Sequence, residues 1–274
     1  MNIPEIGLGT WNLTGDKCTQ VVRMALELGY CHIDTAFAYE NHKAIAKAIK
    51  EVRPDQLFIT SKISLGQATK TYTQSNIDHT NIEKSVSKAC DLALQELGIE
   101  RLDLMLIHWP IRSTPMEEVL AALDKQVEKG KLRYVGVSNY TAHHLQDAYD
   151  QGLKVAFNQV EFHPYLYQKD LLEFARANGT ELIAFRPLGK GNLLNQESLF
   201  AEIGELHGKS PAQVILRWLL QKGIPTVPKA STEAHLKENI DIFDFSLSED
   251  DERRIDGLNK NFRFCDSDWG EFDY

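Results

Sequence analysis

The sequence predicts an α/β fold of the (β/α)8 barrel class, and three observations support that prediction. About eight β-like runs alternate with longer helical patterns along the chain, as expected for strands that pair in parallel. Several runs, such as Leu102–His108, are almost continuously apolar, which suits strands buried on both faces. A doubly wound sheet that binds a dinucleotide would carry GxGxxG, but Asn12 stands where a third glycine is needed after Gly7 and Gly9. The barrel is therefore favoured over the open sheet.

Strand and helix patterns succeed one another from the N-terminal to the C-terminal end. Strands are predicted at Cys31–Thr35, Leu57–Ser61, Leu102–His108, Tyr134–Ser138, Ala156–Glu161, Leu182–Arg186, Thr226–Pro228 and Ile240–Phe243. Two of the helical patterns between them end at Gly29 and Gly98, because glycine readily adopts the left-handed conformation that closes a helix. Another begins after the capping residue Ser210, has Pro211 at its first position and ends at Gly223.

The overall composition is that of an ordinary globular protein, with 43% hydrophobic and 25% charged residues. No linker divides the chain, so residues 1–274 are expected to form a single domain. The net charge of −9 disfavours nucleic-acid binding, because phosphates repel an acidic surface. No signal-peptide pattern is present, and no run approaches the about 20 apolar residues of a membrane span. We expect a cytoplasmic monomer without nucleic-acid or membrane partners.

The sequence contains no pattern that indicates a metal site or disulfide bonds. The cysteines are scattered, without a CxxC pair, at Cys18, Cys31, Cys90 and Cys265. This spacing argues against a zinc site or a disulfide framework and fits a reducing compartment. No HExxH motif, Walker-type loop or plausible His/Asp ligand set occurs, so a metal-dependent hydrolase is excluded and no metal is expected.

One stretch, Ser64–His79, is polar and too weakly periodic for a helix or a strand. Its position after the second predicted strand places it among the βα loops at the catalytic face of a barrel. A plain surface insertion is the alternative interpretation.

Four residues capable of acid catalysis fall where predicted strands end. Asp34 and Tyr39 follow the first predicted strand, Lys62 the second and His108 the third. In a parallel barrel these ends converge. A free tyrosine has a pKa of about 10, which a neighbouring ammonium lowers by stabilising the tyrosinate. Asp34 would hold the Lys62 ammonium in place, while the His108 imidazole would bond a carbonyl oxygen.

Eight motifs, in order along nearly the whole chain, resemble those of the aldo-keto reductases. They are GLGTW (Gly7–Trp11), HIDTAFAYEN (His32–Asn41), ITSKI (Ile59–Ile63), LIHWP (Leu106–Pro110), GVSNY (Gly136–Tyr140), NQVEFHPY (Asn158–Tyr165), FRPLGKG (Phe185–Gly191) and VPKASTEAHLKEN (Val227–Asn239). Within that family the chain is most similar to the bacterial 2,5-diketogluconate reductase and methylglyoxal reductase branch.

The resemblance implies an oxidoreductase that reduces carbonyl groups with NADPH, with NADH as a possible second cofactor, bound without a Rossmann fold. It implies that Tyr39 donates a proton as hydride reaches the carbonyl carbon, with Asp34, Lys62 and His108 completing the catalytic tetrad. Trp11 and Trp109 would line the substrate pocket together with Tyr39 and His108.

The same resemblance assigns a larger set of residues to the cofactor. The set comprises Thr10, Trp11, Ser138, Asn139, Gln159, Phe185, Arg186, Pro187, Leu188, Gly189, Lys190, Lys229, Ala230, Ser231, His235, Glu238 and Asn239. Ser138, Asn139 and Gln159 would bind the carboxamide of the nicotinamide, and Phe185 would stack on its ring. Arg186–Lys190 would wrap the pyrophosphate, and the last six residues of the set would hold the adenosine end.

Several positions depart from the usual pattern of the family. His42 replaces a common glutamate, so an ion pair near the pocket is expected to be missing. Phe185 replaces a common tyrosine but keeps the ring that stacks. Arg186 replaces a serine and adds a cation where phosphates pass. Ala230 and His235 replace the serine and arginine that commonly hold the 2′-phosphate, so the charged bidentate donor is absent. The segment between the second and third strands is also longer than usual, and Ser64–His79 is the surplus.

Two functions remain open on the same scaffold. The first is an NADPH-dependent reductase of aldehydes and ketones, such as dicarbonyls and keto sugars. The second is a nicotinamide-binding regulatory or structural protein, like the β subunits of potassium channels. A fold alone does not separate them, but the complete tetrad favours the enzyme.

The end of the chain is rich in aromatic residues. After the last helical pattern, Ser248–Leu258, the sequence NKNFRFCDSDWGEFDY has neither helical nor strand periodicity. It carries Phe262, Phe264, Trp269, Phe272 and Tyr274. Disordered segments are usually poor in aromatics, so we predict that this tail packs over the barrel mouth near Trp11 and Trp109.

Overall fold

The structure is a computed structural model that describes residues 3–65, 77, 80–111, 114–195, 197–266 and 270–274. Its centre is a parallel sheet in which each strand pairs with the next one along the chain. The strands are β1 (Leu8–Gly9), β2 (His32–Asp34), β3 (Phe58–Ile63), β4 (Leu102–Ile107), β5 (Leu132–Ser138), β6 (Phe157–Glu161) and β7 (Glu181–Phe185).

The sheet closes into a barrel through one residue, Thr226, which takes the eighth strand position. Thr226 forms parallel bridges to Ile6 on one side and to Ala184 on the other. The Gly7 N–H donates to the Thr226 carbonyl at 2.9 Å, and the Thr226 N–H donates to the Glu5 carbonyl at 2.8 Å. The predicted strand at Thr226–Pro228 is thus in the right place but is reduced to a bridge.

Two strand assignments need correction. The strand predicted at Ile240–Phe243 is wrong, because Ile240 ends a helix and the Ile242 N–H donates back to the Ile240 carbonyl at 3.0 Å. Ile242 is fully buried by packing without entering the sheet, and a short apolar run does not distinguish these two outcomes. Strand β1 was not predicted, since two residues show no periodicity. The first, second and third predicted strands are therefore β2, β3 and β4.

Ten α-helices occur in the described residues, and most of them alternate with the strands. They are α1 (Gly15–Glu27), α2 (His42–Ile49), α3 (Ile82–Leu97), α4 (Met116–Glu128), α5 (Ala142–Asp150), α6 (Lys169–Ala177), α7 (Ser198–His207), α8 (Pro211–Gln221), α9 (Glu233–Ile240) and α10 (Glu249–Asp256). The predicted ends are confirmed. Gly98 closes α3 with φ of 68°, and the Ser210 hydroxyl accepts the Gln213 N–H in a capping box at the start of α8.

Apolar residues fill two separate layers, as the continuous apolar strands require. Inside the barrel, Leu104 and Leu106 of β4 pack with Phe157 and Ile183. The alternate residues Met105 and Ile107 of the same strand face the helices. This arrangement leaves the carboxyl ends of the strands as the place where polar side chains gather.

The irregular segment Ser64–His79 lies mostly outside the described residues. Of its residues the structure describes Ser64, Leu65 and Ile77, and the Ile77 N–H donates to the Ser64 carbonyl at 3.2 Å. Leu65 and Ile77 are both buried, so the two ends of the segment are anchored at the barrel. In the described parts of the chain, no helix is long and apolar enough to cross a membrane, and no group of His, Cys, Asp or Glu side chains could hold a metal ion.

Candidate active site

A buried ion pair lies at the carboxyl ends of β2 and β3. The Lys62 ammonium donates to Asp34 Oδ1 at 2.7 Å and to the Thr35 carbonyl at 2.8 Å. The second carboxylate oxygen, Oδ2, accepts Gln159 Nε2 at 2.7 Å. Burial lowers the pKa of Lys62, and the charge of Asp34 opposes that shift. Both charges are therefore compensated inside the protein before any ligand arrives.

Tyr39 lies directly above this pair. It belongs to a short 3₁₀ turn, Phe37–Tyr39, that follows β2, and its side chain is half-buried. Lys62 Nζ is 5.1 Å from the centroid of the Tyr39 ring, and the His108 ring is 6.0 Å away on another side. The structure thus brings together the four residues of the predicted tetrad, which span 74 positions of sequence between Asp34 and His108.

His108 follows β4 immediately and is held by its own backbone. Its N–H donates to the Ile63 carbonyl at 2.8 Å, and its carbonyl accepts Asn139 Nδ2 at 2.9 Å. Removal from water, together with the positive charge of Lys62, lowers the pKa of His108 to about 3. Its imidazole is consequently neutral at pH 7, so it can donate or accept a hydrogen bond but carries no charge.

A second layer of polar residues fixes the loops that carry these side chains. The Thr10 hydroxyl donates to the Asp34 carbonyl at 2.8 Å. The hydroxyl of this predicted cofactor residue is therefore bonded to the last residue of β2. Asn41 accepts the Thr35 hydroxyl at 2.6 Å and donates to the Thr10 carbonyl at 3.1 Å. The role of Asn41 was not predicted, because the acceptors of its amide group are the backbone carbonyls of Thr10 and Leu13, which no sequence pattern indicates.

His42 also finds a partner. Its Nδ1 lies 3.1 Å from Glu96 Oε2 on α3, and its Nε2 lies 3.0 Å from the Ser61 hydroxyl. The hydrogen bond from His42 lowers the pKa of Glu96 although burial opposes it. Glu96 of α3 therefore supplies a carboxylate beside position 42, where the usual glutamate is absent. The expectation that position 42 would have no charged partner is thus corrected.

The three residues predicted to bind the nicotinamide carboxamide lie side by side at the ends of β5 and β6. Ser138 Oγ donates to the Gln159 carbonyl at 2.8 Å, and Asn139 Nδ2 also bonds Ser138 Oγ at 3.1 Å. Asn139 has φ of 66°, a left-handed conformation that asparagine tolerates. Because Gln159 also bonds Asp34, this group is continuous with the Asp34–Lys62 pair.

The loop after β7 carries the positive charge of the site. The Arg186 guanidinium lies 5.4 Å from the centroid of Trp11 and 5.9 Å from that of Phe185, and Lys190 Nζ lies 5.3 Å from the Trp11 centroid. Pro187 is buried, whereas Trp11 is 42% exposed. Arg186 Nη1 is buried and has no hydrogen-bond partner among the described residues. A buried unpaired guanidinium nitrogen fits an anionic group, as a dinucleotide with its phosphates would supply.

The predicted adenosine segment begins after the Thr226 bridge and continues through α9. Lys229 and His235 are exposed, Ala230 and Asn239 are buried, and Ser231 and Glu238 are half-buried. The hydroxyl of Thr232, the capping residue of α9, accepts the His235 N–H at 3.3 Å. Lys229, Ala230 and Ser231 precede α9 and His235 lies in its first turn, where the amino terminus favours negative charge. Glu238 and Asn239 lie near the other end of the helix.

A buried glutamate that was not predicted as functional holds the C-terminal tail. Glu161, at the end of β6, accepts the backbone N–H groups of Phe264 and Cys265, both at 2.7 Å, and contacts His163 Nε2 at 2.8 Å. Burial opposes its ionisation, but these hydrogen bonds prevail and lower its pKa. Glu161 lies inside the motif NQVEFHPY, yet the two tail amides that it binds are more than 100 positions away, so no local sequence pattern indicates them.

The end of the tail covers the barrel mouth beside Trp109. The Phe272 ring is 6.1 Å from the Trp109 ring, and the Arg263 guanidinium is 3.9 Å from the Phe272 ring. The Tyr274 hydroxyl donates to Asp147 on α5 at 2.8 Å. Packing near Trp109 is thus confirmed. Trp269 lies outside the described residues, and on the other side of the mouth Trp11 packs with Arg186.

Comparisons with known proteins agree with this geometry. Residues 5–260 match the Aldo/keto reductase family. The chain belongs to the aldo/keto reductase family. It is 41% identical over 267 residues to the glyoxal reductase of Bacillus subtilis (strain 168), covering 96% of this chain and 91% of that protein. It is 40% identical over 300 residues to aldose reductase B of Dictyostelium discoideum, with the same coverage of each chain.

Solved structures of the family superpose closely. A protein assigned as a 2,5-diketo-D-gluconic acid reductase B has a TM-score of 0.88 at 34% identity, covering 98% of this chain and 92% of that one. An aldo-keto reductase from a Medee basin deep-sea metagenome has a TM-score of 0.87 at 30% identity, covering 98% and 97%. The barrel and the reductase branch predicted from sequence are both confirmed. The chain is an oxidoreductase that acts on carbonyl groups.

Proposed function

We propose that this enzyme reduces aldehydes and ketones, in particular dicarbonyls and keto sugars, with NADPH, and that Tyr39 is the proton donor. The observation that carries the proposal is the compensated Asp34–Lys62 pair beneath the Tyr39 ring. The similarity to glyoxal reductase and to the assigned 2,5-diketo-D-gluconic acid reductase B supports small dicarbonyl and keto-sugar substrates.

In this mechanism the Tyr39 hydroxyl gives its proton to the carbonyl oxygen. The Lys62 ammonium, 5.1 Å from the ring centroid, stabilises the negative charge that develops on the phenol as the proton leaves. Hydrogen bonds to Asp34 and to the Thr35 carbonyl hold that ammonium in position. Because both partners are buried, the charge acts across a medium of low polarity and its effect is large.

His108 orients the substrate and does not supply the proton. Its imidazole is neutral at pH 7, since its pKa is lowered to about 3 by removal from water and by Lys62. A neutral imidazole beside Tyr39 donates a hydrogen bond to the carbonyl oxygen and polarises it. Asn139 fixes the position of His108 through its carbonyl.

A bound nicotinamide supplies the hydride. Ser138, Asn139 and Gln159 are proposed to hold its carboxamide, and Phe185 its ring. Arg186–Lys190 are assigned to the diphosphate. Lys229, Ala230, Ser231, His235, Glu238 and Asn239 are assigned to the adenosine end. Thr10 acts indirectly by holding Asp34. Trp11 and Trp109 line the substrate pocket, and the tail with Phe272 excludes water.

We further propose that residues 1–274 act as one domain, as a monomer, in the cytoplasm. All four cysteines are free, which suits a reducing compartment.

Turnover measured with methylglyoxal, glyoxal and a keto sugar, with NADPH and NADH in parallel, tests the proposal. Consumption of NADPH that depends on the carbonyl compound is the expected result. Tight binding of NADPH without turnover of any of these compounds would instead favour a regulatory protein on the same scaffold.

A further inference from the structure

A buried histidine connects the turn that carries Tyr39 to the layers behind it. His42, the first residue of α2, is only 3% exposed. Its Nδ1 lies 3.1 Å from Glu96 Oε2 on α3, and its Nε2 lies 3.0 Å from the Ser61 hydroxyl on β3. The imidazole also packs against the ring of Phe37, with the centroids 4.8 Å apart. His42 therefore joins β3, α3 and the turn at one point.

Two adjacent residues of β3 hold the two ends of this turn. Lys62 donates to the Thr35 carbonyl, just before the turn, at 2.8 Å. Ser61 precedes Lys62, so its side chain points to the opposite face of the strand, where it bonds His42 just after the turn. Because both ends are attached to the same strand, the position of Tyr39 above Lys62 depends on both attachments.

The residues between Tyr39 and His42 are fixed as well, but toward other strands. Glu40 has a left-handed backbone with φ of 52°. Asn41 precedes α2 without capping it, because its side chain accepts the Thr35 hydroxyl and donates to two carbonyls of the loop after β1. Asn41 thus holds the turn toward β1 and β2, whereas His42 holds it toward β3 and α3. The two anchors act in different directions and do not replace each other.

The anchor at position 42 is matched to its partner on α3. The family commonly has glutamate at this position, but here Glu96 already supplies the carboxylate. The hydrogen bond from His42 lowers the pKa of Glu96 although burial opposes it. A glutamate at position 42 would place two carboxylates side by side in a largely buried site, which is unfavourable. The histidine therefore belongs with Glu96.

We propose that His42 is a positioning residue, which keeps the Tyr39 hydroxyl at the distance from Lys62 that makes it an effective acid. A displacement of the phenol by about 1 Å from the ammonium raises its pKa by about half a unit. A misplacement of this size can lower a rate by up to about a hundredfold. The inference rests on the proposed function, because it takes Tyr39 as the proton donor.

The first test compares His42→Leu, which loses both hydrogen bonds, with His42→Gln, whose amide reaches about as far as Nε2 and keeps the bond to Ser61. We expect kcat to fall by about tenfold in His42→Leu and by less in His42→Gln. The dissociation constant for NADPH should not change in either. His207→Gln, which alters an imidazole packed on Phe245 at the end of α7, is the control and should change neither quantity.

The pH profile of kcat separates positioning from a loss of folded enzyme. A weaker acid keeps its proton to higher pH, so the basic limb of the profile should move up by about half a unit in His42→Leu. A loss of folded enzyme would lower kcat equally at every pH. A basic limb that stays in place would therefore contradict the inference.

Reversal of the pair tests the match with Glu96. His42→Glu should lower kcat more than His42→Leu does, because it places two carboxylates together. His42→Glu/Glu96→Lys restores an ion pair of opposite polarity and should recover at least about fivefold in kcat over His42→Glu. Failure of this double variant to recover kcat would show that the pair does not hold the turn.

The Tyr39→Phe background distinguishes this inference from the proposed function. If His42 acts through Tyr39, His42→Leu should have no further effect on the residual kcat of Tyr39→Phe. The same fold-loss in both backgrounds would overturn the inference and leave Tyr39 as the donor. A Tyr39→Phe variant that keeps wild-type kcat would instead contradict the proposed function itself.

Discussion

At the ends of β2 and β3 the Lys62 ammonium has a carboxylate and a carbonyl within 2.8 Å. In the loop after β7, by contrast, Arg186 Nη1 is buried and has no acceptor among the residues that the structure describes. The first region is complete in itself, and its charges act on Tyr39 whether or not a ligand is present. The second is completed only from outside. The proposed site therefore has two halves. The chemical half, Asp34, Lys62 and Tyr39, is preorganised, whereas the cofactor half, the residues proposed to bind the cofactor, would be completed by that ligand. Substitutions should affect the two halves differently.

Tyr39→Phe gives the largest expected effect in the chemical half. Only the hydroxyl is lost, so kcat should fall by about 10²–10⁴-fold, the usual contribution of general acid catalysis. The dissociation constant for NADPH should stay the same, because the phenol is not needed to bind it. Steady-state kinetics and fluorescence titration measure the two quantities. Tyr149→Phe, which removes a hydroxyl bonded to Thr180 on the outer helix layer, is the matched control. A Tyr39→Phe enzyme with near wild-type kcat would remove Tyr39 from the mechanism.

Lys62→Met should lower both activity and stability. We expect kcat to fall by about a hundredfold or more, because the phenol loses the charge that assists its ionisation. The free energy of unfolding should drop by about 3–5 kcal/mol, because Asp34 is left buried and unpaired. Urea denaturation and kinetics measure these effects, with the exposed Lys84→Met as a control.

The double variant Asp34→Asn/Lys62→Met separates the two consequences. It removes the buried carboxylate charge as well, so it should regain part of the stability without regaining activity. Recovery of kcat in this variant would show that Lys62 acts only through folding.

Removal of the tail after Asn261 tests whether the tail covers the barrel mouth. We expect kcat/KM to fall by different factors for different substrates, because the tail contacts Trp109 and not the Asp34–Lys62 pair. The melting temperature of the enzyme should change little. If kcat/KM changes by the same negligible factor for every substrate, the tail contributes neither to catalysis nor to the choice of substrate.

Glu161→Gln loosens the same tail without shortening it. The N–H groups of Phe264 and Cys265 lose a charged acceptor, so we expect a smaller effect of the same kind, about two- to tenfold in kcat/KM. The pKa of Glu161 is lowered in the fold, so its contribution is complete above about pH 4.3, the pKa of an unperturbed glutamate. It is lost only as the pH falls through the lower folded value. Hydrogen exchange of the tail amides, with Glu173→Gln as an exposed control, measures the loosening. Equal protection of the Phe264 and Cys265 amides in the wild type and in Glu161→Gln at the same pH would exclude this latch.

The smallest effect is expected at the cofactor half, from His235→Arg. An exposed ion pair contributes about 0.2–1 kcal/mol, so NADPH should bind up to about fivefold more tightly while the affinity for NADH is unchanged. Fluorescence titration with both cofactors provides the measurement and its internal control. Equal gains for both would show that position 235 does not face the 2′-phosphate.

The location of the proposed catalytic residues could largely be predicted from the sequence. Parallel strands must bring their carboxyl ends to one face of a barrel, so Asp34, Lys62 and His108 converge once their strands are recognised. The end of α3 at Gly98 and the beginning of α8 at Ser210 could also be predicted from the sequence, because capping depends on residues within a few positions. The strand at Ile240–Phe243 failed for the same local reason, since four apolar residues do not specify whether they pair or pack.

Contacts between distant segments decided the rest. Closure of the barrel at Thr226, the carboxylate that Glu96 offers to His42 and the two tail amides bound by Glu161 each join segments more than 50 positions apart. No periodicity encodes such pairs, because hydrogen bonds between remote groups depend on how whole layers pack. The sequence could show that Arg186 is an added cation. Only the tertiary structure buried one of its nitrogens, Nη1, without an acceptor among the described residues, because the packing of the tail and of the β7 loop determines which acceptors are within reach.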